Sequence, residues 1–429
     1  TDPAFKDECR KAAEWISGAL TEVGIPASVR ATPGHPMVVG HAKNGGAGPH
    51  ALFYGHYDVQ PVDPLDLWEA DPFEPRIVTR PDGTKKIVAR GSSDDKGQVM
   101  TFVEAARAWI EETGSLPIPI SVLLEGEEES GSPSLDAFLA ENRDELAHDF
   151  ALICDTGMWD ADTPAITAML RGMVSEEIIV TAADKDLHSG LYGGAARNPI
   201  RVLGRIIADL HDENGRVTVP GFYDGINEMP EDVTAMWEKM GFDAAGFLGG
   251  VNLSEPAGEK DRSVLEQIWT RPTCDVNGVI GGYTGDGFKT VIPSKASAKI
   301  SFRLVGGQDA EAIRDSFRQF IRDRLPSDCS VEFIGYGCNP ALQLPFDSDP
   351  VRKGRAALAA EWGRDAALVG MGGSIPIAGE FKSVLGMDSL MIGYGLDDDQ
   401  IHSPNEKYEL KSFHKGIRSW ARVLDELSR

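Results

Sequence analysis

Four short, mostly apolar runs, each giving way at its C-terminal end to histidine or carboxylates, constrain the fold of this chain more than any other feature. Ala51–Tyr54 leads into Gly55-His56-Tyr57-Asp58, and Ile118–Leu124 into Glu125-Gly-Glu127-Glu128-Glu129. Phe150–Cys154 leads into Asp155, and Ser389–Tyr394 into Gly395-Leu-Asp397-Asp398-Asp399. Runs of this kind suit strands buried on both faces, as in a parallel sheet covered by helices. Segments of helical spacing supply the cover. Residues 5–23 repeat Ala12, Ala13, Ile16, Ala19, Leu20 and Val23 before Gly24 and Pro26 stop the pattern, and further helices are expected over about 97–110, 350–362 and 412–427. Ligands of open α/β sheets bind beyond the C-terminal ends of the strands, which is where these polar residues fall.

His56 and Asp58 stand two apart, so in extended backbone an imidazole and a carboxylate leave the same face; a strand-end turn with two solvated polar residues is the alternative. After Ile87-Val-Ala-Arg-Gly91, Asp94 and Asp95 fall in a turn before a helix. There they serve equally as a cap favoured by the helix dipole or as metal ligands, since one carboxylate has two oxygens and can bridge two cations. Glu125, Glu127, Glu128 and Glu129 place four carboxylates within five residues, directly after a buried strand. Such crowding is costly unless cations or protons compensate it, although an exposed acidic loop would also carry it.

From about Gly172 the pattern changes. Val174–Thr181 alternates as a half-buried strand does, and a helix is expected over about Pro199–Leu210. Residues 213–270 carry glycines and prolines without a readable period. Strand signals return at Val276–Ile280, Lys295–Leu304 and Ser330–Ile334, with an amphipathic helix near Ala310–Leu325. From about Leu342 the first style resumes. At 429 residues the chain is too long for one ordinary core. The fold expected is α/β: a discontinuous domain of residues 1–172 and 342–429, with a mostly parallel sheet flanked by helices. A smaller α+β domain over 173–341, with an antiparallel sheet, interrupts it.

The balance of 42 basic against 67 acidic residues, a net charge of −25, opposes nucleic acid and anionic membrane as partners, because both need a basic footprint. No run is long enough to cross a membrane, and no secretory leader is seen. The five cysteines (9, 154, 274, 329 and 338) are scattered and without CxxC spacing, which points to a reducing, cytoplasmic setting. His35, His41 and His50 lie in a Gly/Pro-rich, hairpin-like region and read as structural or exposed.

Five motifs stand in order over nearly the whole chain: His56-Tyr-Asp58, Arg90-Gly-Ser-Ser-Asp-Asp-Lys-Gly97, Glu125-Gly-Glu-Glu-Glu-Ser-Gly131, Asp155 and His402-Ser-Pro-Asn-Glu406. Together they resemble the signature of the M20 metallopeptidases, which include carnosinase-like dipeptidases, amino-acid deacylases and desuccinylases. The resemblance implies a co-catalytic pair of divalent cations, with Asp94 bridging, His56 and Asp155 completing one site, and Glu129 and His402 the other. Imidazole with carboxylate suits zinc, with manganese or cobalt tolerated. Asp58 would orient His56. Glu128 would be the general base that deprotonates a metal-bridging water and returns the proton to the leaving amine. The peptide between Asp94 and Asp95 is expected to be cis.

The same resemblance makes the inserted domain a lid and dimerisation domain. Asp186-Leu-His188-Ser-Gly190 is similar to a motif whose histidine reaches the active site of the other subunit of a homodimer and stabilises the oxyanion. Ser301-Phe-Arg303-Leu304 resembles the strand whose arginine binds the substrate's carboxylate. On residue type alone, a capping histidine and a surface arginine are the alternatives. Gly372-Gly373-Ser374-Ile-Pro376 is similar to a turn that contacts substrate, which makes Gly373 and Ser374 binding candidates. Many relatives place an arginine shortly before this turn, where this chain has Val369-Gly-Met371.

The motifs stand closer to the cytosolic non-specific dipeptidase branch than to the deacetylases. The implied reaction is hydrolysis of the amide bond of a dipeptide, or of a dipeptide-like N-acyl amino acid with a free carboxylate. A deacylase or desuccinylase of the same family is the alternative within it. A non-catalytic metal-binding scaffold is the alternative outside it, and its mark would be a lost ligand or base; none of the mapped positions is lost.

Overall fold

The computed structural model describes residues 5–42, 45–46, 48–373 and 376–429. The chain divides into two compact units. The first comprises Thr1–Ala168, Leu344–Val369 and Pro376–Arg429, and the second Met169–Gln343 with Gly370–Ile375. Residues 370–373 thus group with the second unit rather than with the segments on either side of them.

The sheet of the first unit runs from Ala27–Arg30 through Met37–Ala42, Ile120–Glu125, Ala51–His56, Phe150–Ile153 and Asp388–Met391 to the strand that begins at Ala165. It is mixed. Its four central strands pair in parallel, and the strands outside them are antiparallel. Parallel pairing gathers the C-terminal ends at Glu125, His56, Ile153 and Met391 along one edge.

The strand Ala51–His56 is buried at every residue, and its side chains alternate between two covered faces. Phe53 stacks at 3.7 Å on Phe102 of the helix Lys96–Thr113, with Trp420 of the helix Leu410–Leu427 edge-on to both rings. Tyr54, on the opposite face, meets Phe381 edge-on at 5.6 Å. Truncating Phe53 to alanine would cost about 3–5 kcal/mol. Gly55 breaks the apolar run for a steric reason. A Cβ there would fall 2.5 Å from Val99 Cγ2 and 2.7 Å from Asp95 Oδ2, so only glycine lets His56 come so close to the turn at 94–95. A small separate sheet pairs Lys407–Glu409 with Lys85–Val88, which carries residues 402–406 to the same turn.

In the second unit four antiparallel strands lie in the order Thr273–Gly281, Lys295–Leu304, Gly172–Thr181, Ser330–Asn339. Helices Pro199–Ala208 and Ala310–Arg324 contribute Leu203, Ile206, Phe317 and Phe320 to a core with Val174, Ile178 and Val180. Glu176 shares that inward face and is buried, and Arg314 and Arg318 each bind its carboxylate at 2.9 Å. A buried charge is tolerated when so paired. The stretch 213–270, expected to be irregular, holds three helices: Glu231–Met240, Ala244–Gly249 and Val264–Trp269. They are short, and the first buries little beyond Val233 and Trp237, so no sustained apolar period announces them. Among the described residues no helix is long and apolar enough to cross a membrane.

Candidate metal centre

Strand ends and one turn of the first unit supply the site. His56 closes its strand, Asp155 follows Ile153 by two residues, and Glu128–Ser130 forms a single helical turn beyond Glu125. Asp94 lies in the turn before the helix Lys96–Thr113, and its peptide bond to Asp95 is cis. The Asp94 carboxylate stands between two imidazoles: His56 Nε2 is 3.0 Å from Oδ1, and His402 Nε2 is 2.9 Å from Oδ2. Asp155 Oδ2 lies 3.7 Å from His56 Nε2, and Glu129 Oε2 lies 3.3 Å from His402 Nε2. Two groups therefore share Asp94, namely His56, Asp94 and Asp155, and Asp94, Glu129 and His402; within each, the ligand atoms lie within 4.8 Å of one another.

A model of peptidase family M20/M25/M40 matches residues 52–426. The chain belongs to this family. It is similar to the Cys-Gly metallodipeptidase DUG1 of Candida albicans, with 31% identity over 392 residues, 90% of this chain and 80% of that one. It is also similar to the Beta-Ala-His dipeptidase of Rattus norvegicus, with 28% identity over 402 residues, 92% of this chain and 81% of that one. Among solved structures, the M20 family metallo-carboxypeptidase Sso-CP2 from Sulfolobus solfataricus matches with a TM-score of 0.80 at 28% identity, covering 97% of this chain and 93% of that one. Human carnosine dipeptidase 1 matches with a TM-score of 0.74 at 25% identity, covering 100% and 92%.

In this M20 peptidase the grouped side chains are themselves held. His56 Nδ1 faces the Asp58 backbone carbonyl at 3.3 Å, with Asp58 Oδ1 at the same distance, and the other Asp58 carboxylate oxygen accepts the Glu129 N–H at 3.0 Å. Asp58 thereby touches a residue of each group. Gln60 Nε2 donates to Glu129 Oε2 at 2.6 Å. Asp95 accepts the His56 N–H at 3.1 Å, and Cys154 Sγ lies 3.3 Å from the same oxygen. Gln60 and Glu406 gained no role from sequence, although each lies within four residues of a position that did, and Asp95, read there as a cap or a metal ligand, belongs to neither ligand group.

Burial opposes ionisation throughout the cluster. It raises Glu128, Glu129 and Asp155 above the ordinary carboxylate range, and neighbouring carboxylates add to the effect. Burial also works against the Asp94 carboxylate, yet His402 and His56 hold it well below that range. Burial disfavours a charged His56, but Asp58 and Asp94 hold it well above its ordinary value. Carboxylates crowded enough to retain protons, around imidazoles that share them, form a donor set whose protons divalent cations would replace. The residues present fit such ions.

The second unit holds the remaining sequence-assigned positions. Burial and the charge of Arg303 lower Arg171 to about 10, so two guanidinium groups are neighbours. Arg171 Nε donates to the Gly372 carbonyl at 3.4 Å, and its Nη1 is buried without a hydrogen-bond partner. Arg171 thus reaches the turn from a distant part of the sequence, where the preceding residues Val369-Gly-Met371 carry no arginine. Gly373 is exposed with open space around it; Ser374 lies outside the described residues. His188 is exposed and caps the helix Ser189–Tyr192, its Nδ1 accepting the Gly190 N–H at 3.0 Å. That bond leaves the ring proton of the neutral form on Nε2.

Proposed function

We propose that this enzyme hydrolyses the amide bond of dipeptides, or of dipeptide-like N-acyl amino acids with a free carboxylate, using two divalent cations per subunit. The observation that carries the reading is Asp94 with an imidazole at each of its oxygens. His56 and Asp155 would hold one ion, and Glu129 and His402 the other, a donor set that suits zinc. When bound, such a pair lowers the pKa of water and polarises the scissile carbonyl. Glu128, a member of neither ligand group, takes the proton of the attacking water and passes it to the leaving amine. Asp58 keeps His56 turned with Nε2 toward Asp94. Arg303, with Arg171 beside it, binds the free carboxylate through paired hydrogen bonds, and Gly373 and Ser374 line the turn that receives the substrate.

His188 donates its Nε2 proton to the oxyanion in the partner subunit, so the enzyme acts as a homodimer through the second unit. In support, the edge strand Thr273–Gly281 exposes Val276, Val279 and Ile280, an unpaired apolar edge of the kind that other chains cover. The cysteines are free thiols, in keeping with a reducing, cytoplasmic setting.

The test is a panel of dipeptides beside N-acetyl and N-succinyl amino acids, each with added Zn²⁺ or Mn²⁺. Dipeptide cleavage is expected. Hydrolysis of the acylated substrates alone would make the chain a deacylase or desuccinylase, and less than one bound cation per chain after reconstitution would make it a scaffold.

A further inference from the structure

Two arginines of the second unit, Arg171 and Arg303, stand together without a carboxylate to share. Arg171 joins the strands Ala165–Leu170 and Gly172–Thr181 and lies two residues before Met173, which pairs with Arg303 of the strand Lys295–Leu304. Residues two apart in extended chain share a face. Arg171 is therefore a diagonal neighbour of Arg303, on the side of the sheet away from the core of Val174 and Phe302. The Arg171 N–H donates to the Met371 carbonyl and its Nε to the Gly372 carbonyl, each at 3.4 Å. A Cβ on residue 372 would fall 3.3 Å from Nη2, so the guanidinium lies along a glycine that leaves it room. Nη1 is buried with no partner, and the Arg303 side chain bonds to none of the described residues.

Other arginines of this unit are not left so. Arg271 Nε meets Glu259 at 2.9 Å, and Arg314 and Arg318 both meet Glu176 at 2.9 Å. Asp275, whose charge acts on Arg171, is exposed and accepts instead from Thr273 Oγ1 at 3.3 Å. At about 10, Arg171 remains a cation at pH 7. Like charges held together away from water are costly until an anion joins them. A guanidinium fork matches a carboxylate, and the free carboxylate of a dipeptide brings one negative charge to these two cations. A second carboxylate on the same ligand would balance the other.

We propose that Arg171 is a specificity-determining residue that binds an acidic side chain on the substrate's C-terminal residue, so that the enzyme prefers Xaa-Glu and Xaa-Asp dipeptides. This rests on the reading of Arg303 as the group that binds the substrate's free carboxylate. Arg171 hangs on the carbonyls of Met371 and Gly372, which keeps its fork beside the turn rather than free to swing. A net charge of −25 repels acidic ligands in general, so a preference for them has to come from a local pair such as this one.

The test compares kcat/KM for Ala-Glu with Ala-Gln, and for Ala-Asp with Ala-Asn, peptides of nearly equal shape that differ in one charge. In the wild type the acid should be favoured about 10–100-fold, the worth of one hydrogen bond to a charged group, with the difference carried by KM. Arg171→Met should bring both ratios to about one, whereas Arg303→Lys should lower acid and amide together. A wild-type ratio of one or less overturns the proposal and means that both forks grip the same carboxylate; a preference that survives Arg171→Met overturns it too. If Arg171→Met fails to fold, the wild-type ratio decides alone. If no dipeptide is cleaved, the proposed reaction fails separately. Calorimetric titration of the full-length protein with L-glutamate and L-glutamine then decides this site, tighter binding of glutamate supporting it and equal affinity overturning it.

Discussion

Glu406 accepts the backbone N–H of Asp94 at 3.0 Å, across 312 positions of the chain. The same carboxylate, wholly buried, takes the N–H of Gly91 at 3.0 Å, the N–H of Ser93 at 2.9 Å and Nη1 of Arg90 at 2.8 Å. Four donors on two oxygens fix the turn and with it the direction of the Asp94 side chain. His402 stands four residues before Glu406, in left-handed backbone with φ 62°, and its ring reaches the second Asp94 oxygen. One glutamate therefore registers two parts of the site that are distant in sequence.

Glu406→Gln tests that arrangement. The amide keeps the shape, but it turns an NH₂ toward donors and leaves Arg90 without a counter-charge. Removing one partner of a buried ion pair costs about 3–5 kcal/mol, and disturbing the residues that hold metal ligands costs about 10–100-fold in metal affinity. Urea unfolding and metal retention at fixed free Zn²⁺ should both fall. Undiminished retention would mean that the turn holds Asp94 without Glu406.

Glu128→Gln separates binding from proton transfer. Glu128 belongs to neither ligand group, so metal content and unfolding midpoint should match the wild type. Turnover should fall about 10²–10⁴-fold, the worth of a positioned general base. Steady-state kinetics beside elemental analysis check this, and wild-type turnover would remove Glu128 from the reaction.

Much of the candidate site was legible because polar side chains that close buried strands sit where an apolar run stops, as His56 and Asp155 do. The spans of the long helices followed from their apolar spacing in the same way, the helix expected over about 350–362 being Asp349–Trp362. What stayed hidden depends on partners distant in sequence. Glu406 is one acid among many until the amides of residues 91, 93 and 94 are folded onto it. Arg171 stands 201 positions from the Gly372 carbonyl that it reaches. His41 and His50 read as structural or exposed, and His148 gave no signal, because only strand pairing brings the three to Ser121.

Arg303→Lys addresses the carboxylate subsite. A lysine keeps the charge but loses the planar fork that binds a carboxylate through two parallel hydrogen bonds. One hydrogen bond to a charged group is worth about 1.5–3 kcal/mol, so kcat/KM for free dipeptides should drop about 10–100-fold. Dipeptide amides, which lack the carboxylate, should lose little. An equal loss on both substrates would place Arg303 elsewhere in the reaction.

Glu380 offers a pH test away from the metal centre. Burial and a hydrogen bond to Asp136 push its carboxyl up to about 7 from an ordinary value of 4.5, as expected where two carboxyl groups share one proton. Because the folded value lies above the unfolded one, the pair's contribution is complete below about 4.5 and is lost as pH rises through about 7. Glu380→Gln cannot ionise, so the shared hydrogen bond survives at high pH. The variant should match the wild type in chemical denaturation at pH 4.5 and exceed it at pH 8.5. Added salt should narrow the gap, since Asp136 is exposed and exposed charges are screened. A difference of the same size at both pH values would show that the substitution acts through packing and not through the shared proton.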